Sequence, residues 1–297
     1  MATDPLHQNQ LHQHSWQVRY GTLRGLEWGG NHNNPDAPVL LALHGWLDNS
    51  MTFSRLGPLL SEAFPQWRIV APDLPGHGHS DWLAAGADYS IWAPVEAIYD
   101  LCQQFSRPVT VLGHSMGGAI GTLLAGAFPE LVRAYIALDV AGPLSTAAAQ
   151  SPGQFAQAIR HAPSGRRIYY ADAGQALSAR LRNNPELSAD CIGGVVSRNL
   201  SQDEQGFFWR TDARLRLPSR MRMTEEQIAA FMAAMTMPAL FIRAQAGLIP
   251  AEFFARRLKA ISHAQSDELE GHHHFHLSAA TVAPVAERIV RFLKESV

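Results

Sequence analysis

Only two cysteines, Cys102 and Cys191, occur in 297 residues. That is too few for a disulfide framework and fits two thiols kept in a reducing compartment. Basic charge is not in excess: 24 Lys and Arg face 26 Asp and Glu, for a formal net charge of -2. This excludes the electrostatic footprint of a nucleic-acid binder. Apolar stretches such as Val39 to Leu43 are far below the roughly 20 residues that span a bilayer. The opening MATDPLHQNQLHQHSW lacks the basic and apolar regions of a secretory signal, so a cytoplasmic protein is expected. Residues 1–14 are polar and His/Gln-rich and are expected to form a poorly ordered tail. His7, His12 and His14 are read as solvated rather than metal-binding.

What is present is a globular composition. Hydrophobic residues make up 46% and charged residues 17% of the chain, which excludes general disorder. The length allows one large domain or two modest ones. Trp16 to Trp28 reads as an antiparallel hairpin or a pair of edge strands. Short, fully apolar runs follow at Val39–Leu43, Trp67–Ala71, Val109–Leu112 and Ala134–Leu138. Such runs fit strands buried on both faces of a parallel sheet, with helical spacings between them.

From Pro143 to about Met235 the buried-strand runs give way to helix-forming segments, with Phe207, Phe208 and Trp209 among them. The strand–helix rhythm returns at Ala239–Arg243 and closes with a helix from Val282 to Leu293. The pattern predicts a mostly parallel sheet flanked by helices, formed by residues 15–142 and 236–297. Residues 143–235 are expected to be an inserted helical cap.

Gly113-His114-Ser115-Met116-Gly117 matches G-x-S-x-G between a buried strand and a helix. In that setting the glycines permit a sharp turn that presents the serine hydroxyl above the sheet. The helix start beneath it favours developing negative charge. A serine hydroxyl is a weak nucleophile at neutral pH, so a base, an orienter and oxyanion donors are required elsewhere.

Three motifs in this order resemble the α/β-hydrolase superfamily. Leu43-His44-Gly45-Trp46 is similar to its oxyanion loop, Asp73-Leu74-Pro75-Gly76-His77-Gly78-His79-Ser80 to its D-x-P-G-x-G-x-S loop, and Gly113–Gly118 to its nucleophile elbow. His44-Gly45-Trp46-Leu47-Asp48-Asn49, taken with Gly271-His272-His273-His274-Phe275-His276, resembles the serine hydrolase-like branch, whose substrates are poorly defined. The resemblance implies an oxyanion hole made by the backbone amides of Trp46 and Met116. It also implies a histidine base between the last strand and the last helix. Comparison with the branch pattern favours His273, while a simpler Gly-His reading selects His272.

Most members carry the acid after the seventh strand, yet Arg243–Pro250 contains neither Asp nor Glu. Asp139, at the end of the strand after the nucleophile helix, is the favoured acid. The resemblance supports it, because a group of haloalkane dehalogenases carries its acid at that strand end. Glu252 is the alternative. Epoxide hydrolase and dehalogenase chemistry is disfavoured, because those mechanisms need an Asp where this chain has Ser115.

The expected activity is hydrolysis of an ester, or a related carbonyl compound, of a small to medium apolar molecule through an acyl-enzyme. Carbon–carbon hydrolase, thioesterase, amidase and perhydrolase chemistry on the same triad are alternatives, as is a weakly active ligand-binding homologue. His114, Trp46 and Trp209 are the expected substrate contacts. Asp73, His44, His77 and His79 are expected to shape loops, and Asp48 and Asn49 to lie near the oxyanion loop and line the site.

Imidazoles suit zinc and other transition metals, so a metal site is the rival reading of the histidine cluster. Adjacent histidines cannot all point at one ion from a regular backbone, and no H-E-x-x-H or H-x-x-E-H helix is present. Neither metal nor cofactor is expected. The expected partner is a small-molecule substrate, with no nucleic acid and no membrane, and the chain is read as a monomer or homodimer.

Overall fold

The computed structural model describes residues 11–30, 34–161 and 167–297. Its centre is an eight-stranded sheet in the order β1-β2-β4-β3-β5-β6-β10-β11. The strands are β1 (Leu11–Val18), β2 (Gly21–Trp28), β3 (Val39–Leu43), β4 (Arg68–Pro72), β5 (Val109–His114), β6 (Val132–Leu138), β10 (Ala239–Ala246) and β11 (Gln265–His272). β1 and β2 form an antiparallel hairpin, and β2 lies antiparallel to β4. All remaining pairs are parallel.

Every residue of β3 and β5 is buried, as expected for central strands covered on both faces. Side-chain alternation splits them between two cores. Leu41, Leu43, Val111, Tyr135 and Phe241 pack on one face. Leu40, Ala42, Leu112, Ile136 and Ile242 pack on the other. The flanking helices are α1 (Leu56–Ala63), α2 (Ala93–Cys102), α3 (Met116–Ala127), α8 (Ala251–Leu258) and α9 (Val282–Ser296). In α9 the buried residues Val282, Val285, Ala286, Ile289, Phe292 and Leu293 recur at the spacing of one helical face.

Two expectations need correction. Residues 11–14, assigned to the tail, form the first half of β1 and pair with Trp28 to Gly25. Backbone pairing overrides their polarity, because an edge strand keeps one face in water. Residues 1–10 lie outside the described residues.

The segment 143–235 is not wholly helical. It contains α4 (Ser151–Arg160), α5 (Ala173–Arg182), α6 (Ala189–Asn199) and α7 (Glu225–Ala233). It also contains a small antiparallel sheet ordered β7 (Tyr169–Tyr170), β9 (Gly206–Trp209), β8 (Leu200–Asp203). A tight turn closes β8 on β9, with Gly206 at φ +127°. The aromatic run Phe207-Phe208-Trp209 supplies β-favouring side chains, and Phe208 meets Tyr169 edge-on.

The cap is tied to the core by buried polar contacts. Arg198 of α6 reaches the Asp73 carboxylate at 2.9 and 3.0 Å, and Arg180 of α5 reaches Asp48 at 2.9 Å. Asn49 donates to the carbonyl of Val195 at 2.8 Å. Among the described residues no helix is long and apolar enough to cross a membrane.

Candidate active site

The C-terminal ends of the parallel strands gather the chemically active side chains, which is where open α/β sheets hold their ligands. Ser115 joins β5 to α3 with φ +51° and ψ -119°. A non-glycine residue in this region is strained and is held there by its surroundings. The surroundings are glycine. A methyl group on Gly117 would lie 2.0 Å from the Leu43 carbonyl oxygen, and one on Gly113 would lie 2.4 Å from the Gly118 Cα. Helix α3 can therefore start directly against β3 and β5 only because these positions lack a side chain. The Ser115 amide donates to the Leu138 carbonyl at 3.1 Å, locking the turn beside the end of β6.

Leu138 precedes Asp139, which is also in the left-handed region, at φ +49°. Its carboxylate is buried and accepts three contacts: the Ala244 amide at 3.1 Å, the Leu248 amide at 3.0 Å and His273 Nδ1 at 2.6 Å. A carboxylate with two amide donors serves as an acceptor, so His273 Nδ1 carries the hydrogen and Nε2 carries the lone pair. This is the tautomer a general base requires. The loop after β10 has no acid of its own because the Asp139 carboxylate fills that place: a methyl group on Gly247 would lie 2.2 Å from Asp139 Oδ1.

His272 stands apart from this pair, and its Nδ1 accepts from the His274 amide at 3.1 Å. Glu252 is exposed at the start of α8. Among the described residues no hydrogen bond links Ser115 Oγ to His273 Nε2. Such contacts are commonly long without substrate and tighten when it binds.

The Trp46 and Met116 amides donate to no protein acceptor among the described residues. The loop that carries Trp46 is braced from below. The Leu47 amide donates to His77 Nε2 at 3.2 Å, and the Leu74 amide donates to His44 Nε2 at 2.9 Å. Burial pushes the His77 imidazole down to about 3, and it lowers that of His44 as well. Both rings are therefore neutral acceptors at ordinary pH. Asp73 binds the Ser50 amide, the Ser50 hydroxyl and the His79 amide, fixing the neighbouring loop.

The expected substrate contacts separate. The Trp46 indole is 50% exposed and donates to the Leu215 carbonyl of the cap at 2.9 Å. Trp209 is half-buried in the cap sheet, donates to the Tyr170 hydroxyl at 3.1 Å and packs on an apolar cluster that joins the cap to Met51 and Leu277. His114 must be corrected. It is fully buried, so it cannot touch substrate, and its Nε2 donates to the His273 carbonyl at 3.0 Å. Burial, then the neighbouring His276, His273 and His274, hold its ring well below the usual imidazole range. Sequence gave no sign of this, because a residue before a nucleophile can face either way.

Sequence reasoning also missed the Asp48–His274 pair, joined at 3.1 Å. Burial alone would raise the Asp48 carboxyl, but His274 and Arg180 beside it hold it below the ordinary carboxylate range. Asp48 and Asn49 are buried and bind the cap and the base loop instead of lining an open site. Asp48, His114 and His274 form a group with metal-ligand chemistry among the described residues.

The alpha/beta hydrolase fold family matches residues 38–185 of the chain. A serine hydrolase-like protein of Danio rerio is 29% identical over 280 residues, covering 88% of this chain and 82% of the relative. A probable serine hydrolase of Drosophila melanogaster is 28% identical over 307 residues, covering 96% and 90% respectively. The crystal structure of a hypothetical protein from Pseudomonas aeruginosa PAO1 superposes with a TM-score of 0.85 at 32% identity, covering 95% of this chain and 99% of that one.

Proposed function

The chain belongs to the α/β-hydrolase fold family, in the branch of the serine hydrolase-like proteins, and from that premise we propose that it hydrolyses an ester of a small to medium apolar molecule through an acyl-enzyme. The observation that carries this reading is the strained Ser115 at the head of α3, set among the same strand ends as an imidazole that Asp139 orients.

Ser115 Oγ attacks the ester carbonyl as His273 Nε2 takes its proton. The Asp139 carboxylate stabilises the imidazolium that forms and does not itself take the proton. The carbonyl oxygen becomes an oxyanion and accepts hydrogen bonds from the Trp46 and Met116 amides, reinforced by the start of α3. His273 then protonates the leaving alcohol oxygen, and the acyl group remains on Ser115. Water attacks the acyl-enzyme as His273 takes its proton. Collapse releases the carboxylic acid and restores the serine.

Apolar substrate character is supported by Trp46, beside the oxyanion amide, and by Leu248, whose amide holds Asp139. These residues are 50% and 70% exposed. A panel of p-nitrophenyl esters of increasing acyl length tests the reading on wild type and Ser115→Ala. Wild type should turn over with an acyl group detectable on the Ser115 peptide, and Ser115→Ala should lose at least about 10⁴-fold in kcat. Equal rates in the two proteins would refute it.

A further inference from the structure

Beneath the nucleophile lies a group of side chains that the hydrolytic steps do not use. Asp48, His114 and His274 are buried together, and one ligand-type atom of each lies within 4.8 Å of those of the other two. His274 Nε2 is 3.1 Å from Asp48 Oδ2. The tautomer of His114 follows from its neighbour. Its Nε2 meets the His273 carbonyl oxygen at 3.0 Å, and a carbonyl only accepts, so Nε2 carries the hydrogen. Nδ1 of this neutral ring then holds the lone pair, and it is buried without a hydrogen-bond partner among the described residues.

Gly45 lies against this nitrogen and against the Asp48 carboxylate. A methyl group on Gly45 would sit 3.0 Å from His114 Nδ1 and 3.4 Å from Asp48 Oδ2. An unpartnered buried imidazole nitrogen and a carboxylate oxygen thus lie beside the same glycine, with a second imidazole against the same carboxylate. Two features favour a cation over a water molecule there. Metal-binding imidazoles are typically held by donating their other N–H to a backbone carbonyl, as His114 does. The second oxygen of Asp48 is already fixed by Arg180 at 2.9 Å, and Oδ2 faces His274 Nε2 at 3.1 Å, so Oδ2 is the oxygen an ion would share with His274.

We propose that Asp48, His114 and His274 form a binding site for one divalent transition-metal ion of the zinc class, with the fourth position taken by water. Two imidazoles and a carboxylate are a donor set that zinc accepts in tetrahedral geometry. The ligands are Asp48 Oδ2, His114 Nδ1 and His274 Nε2. Ligation by His274 Nε2 moves that ring's proton to its Nδ1, which is buried and unpartnered, so no proton has to leave the site. Each ligand adjoins a segment of the hydrolytic set. Asp48 lies two residues beyond Trp46, His114 precedes Ser115, and His274 follows His273. An ion here joins the oxyanion loop, the nucleophile strand and the base loop. Binding itself does not depend on the hydrolase reading.

Titration of the full chain with Co²⁺, read by visible d–d absorption and by displacement with Zn²⁺, tests the site. Wild type and Ser115→Ala should each bind one equivalent with the strong absorption of a low-coordinate cobalt ion. Asp48→Asn and His274→Gln should each weaken that binding at least about tenfold. Far-UV circular dichroism establishes which variants fold. His274→Gln leaves the Arg180–Asp48 pair intact and decides the matter if Asp48→Asn does not fold. Surface and N-terminal histidines contribute equally to all four proteins, so the difference between them is the readout. No saturable band in wild type, or the same band and midpoint in the folded variants, would overturn the proposal.

Discussion

Replacing Asp139 by Asn removes one charge and one acceptor at almost constant volume. The carboxylate now meets three hydrogens: Oδ1 takes the Ala244 amide, and Oδ2 takes the Leu248 amide and His273 Nδ1. An amide has a single acceptor oxygen. If that oxygen takes the Oδ2 place, the new NH₂ opposes the Ala244 N–H, and a buried amide loses its partner at a cost of about 1–3 kcal/mol. If it takes the Oδ1 place, the NH₂ faces both the Leu248 N–H and His273 Nδ1. The ring is then driven to the tautomer whose proton sits on Nε2, and that ring cannot accept from Ser115. In either orientation no carboxylate charge stabilises the imidazolium. The expected loss in kcat is about 10⁴-fold, or about 5 kcal/mol in the barrier. Esterase kinetics on Asp139→Asn, with thermal melting to establish folding, measure this. A folded variant retaining kcat within about tenfold of wild type, while Ser115→Ala is inactive, would refute the role of Asp139.

Gly117→Ala should lower stability by about 1–3 kcal/mol and impair turnover, because its methyl group would lie 2.0 Å from the Leu43 carbonyl oxygen; differential scanning calorimetry beside an activity assay checks both. Arg198→Met should cost about 3–5 kcal/mol by leaving the buried Asp73 charge without its guanidinium; denaturant unfolding measures it, and a change below about 1 kcal/mol would contradict the buried-pair account. Stability should also fall as pH drops from 7.5 to 5. The folded His77 value of about 3 lies below the ordinary imidazole value of 6.5, so the unfolded chain binds more protons in this window. Stability from this group is complete above about pH 6.5 and is lost progressively on acidification, by about 2 kcal/mol at pH 5. The lowered values of His44, His114 and His276 act in the same direction. Urea midpoints that stay level or rise over this interval would contradict it.

The parts of the fold read correctly from sequence are those where burial leaves a local signature. β3 and β5 are buried along their whole length, so they appear as unbroken apolar runs that end in glycine motifs. Ser115 was legible because its strained turn needs Gly113 and Gly117 at fixed offsets. Asp139 was legible only indirectly, through the missing acid in Arg243–Pro250, where the structure places Gly247 against the Asp139 carboxylate. The small cap sheet was not legible: strands of two to four residues are too short for a period to register. The direction of His114 and the pairing of Asp48 with Arg180 were equally hidden. They depend on contacts 159 and 132 residues apart in the chain, which tertiary packing alone decides.

The most direct measurement is covalent labelling of the intact, folded chain with a fluorophosphonate, followed by peptide mass spectrometry. A serine whose proton can pass to His273 should be modified at Ser115, with labelling lost in Ser115→Ala and strongly slowed in Asp139→Asn. A folded wild-type chain that stays unlabelled, or that carries the label at another residue, would contradict the account.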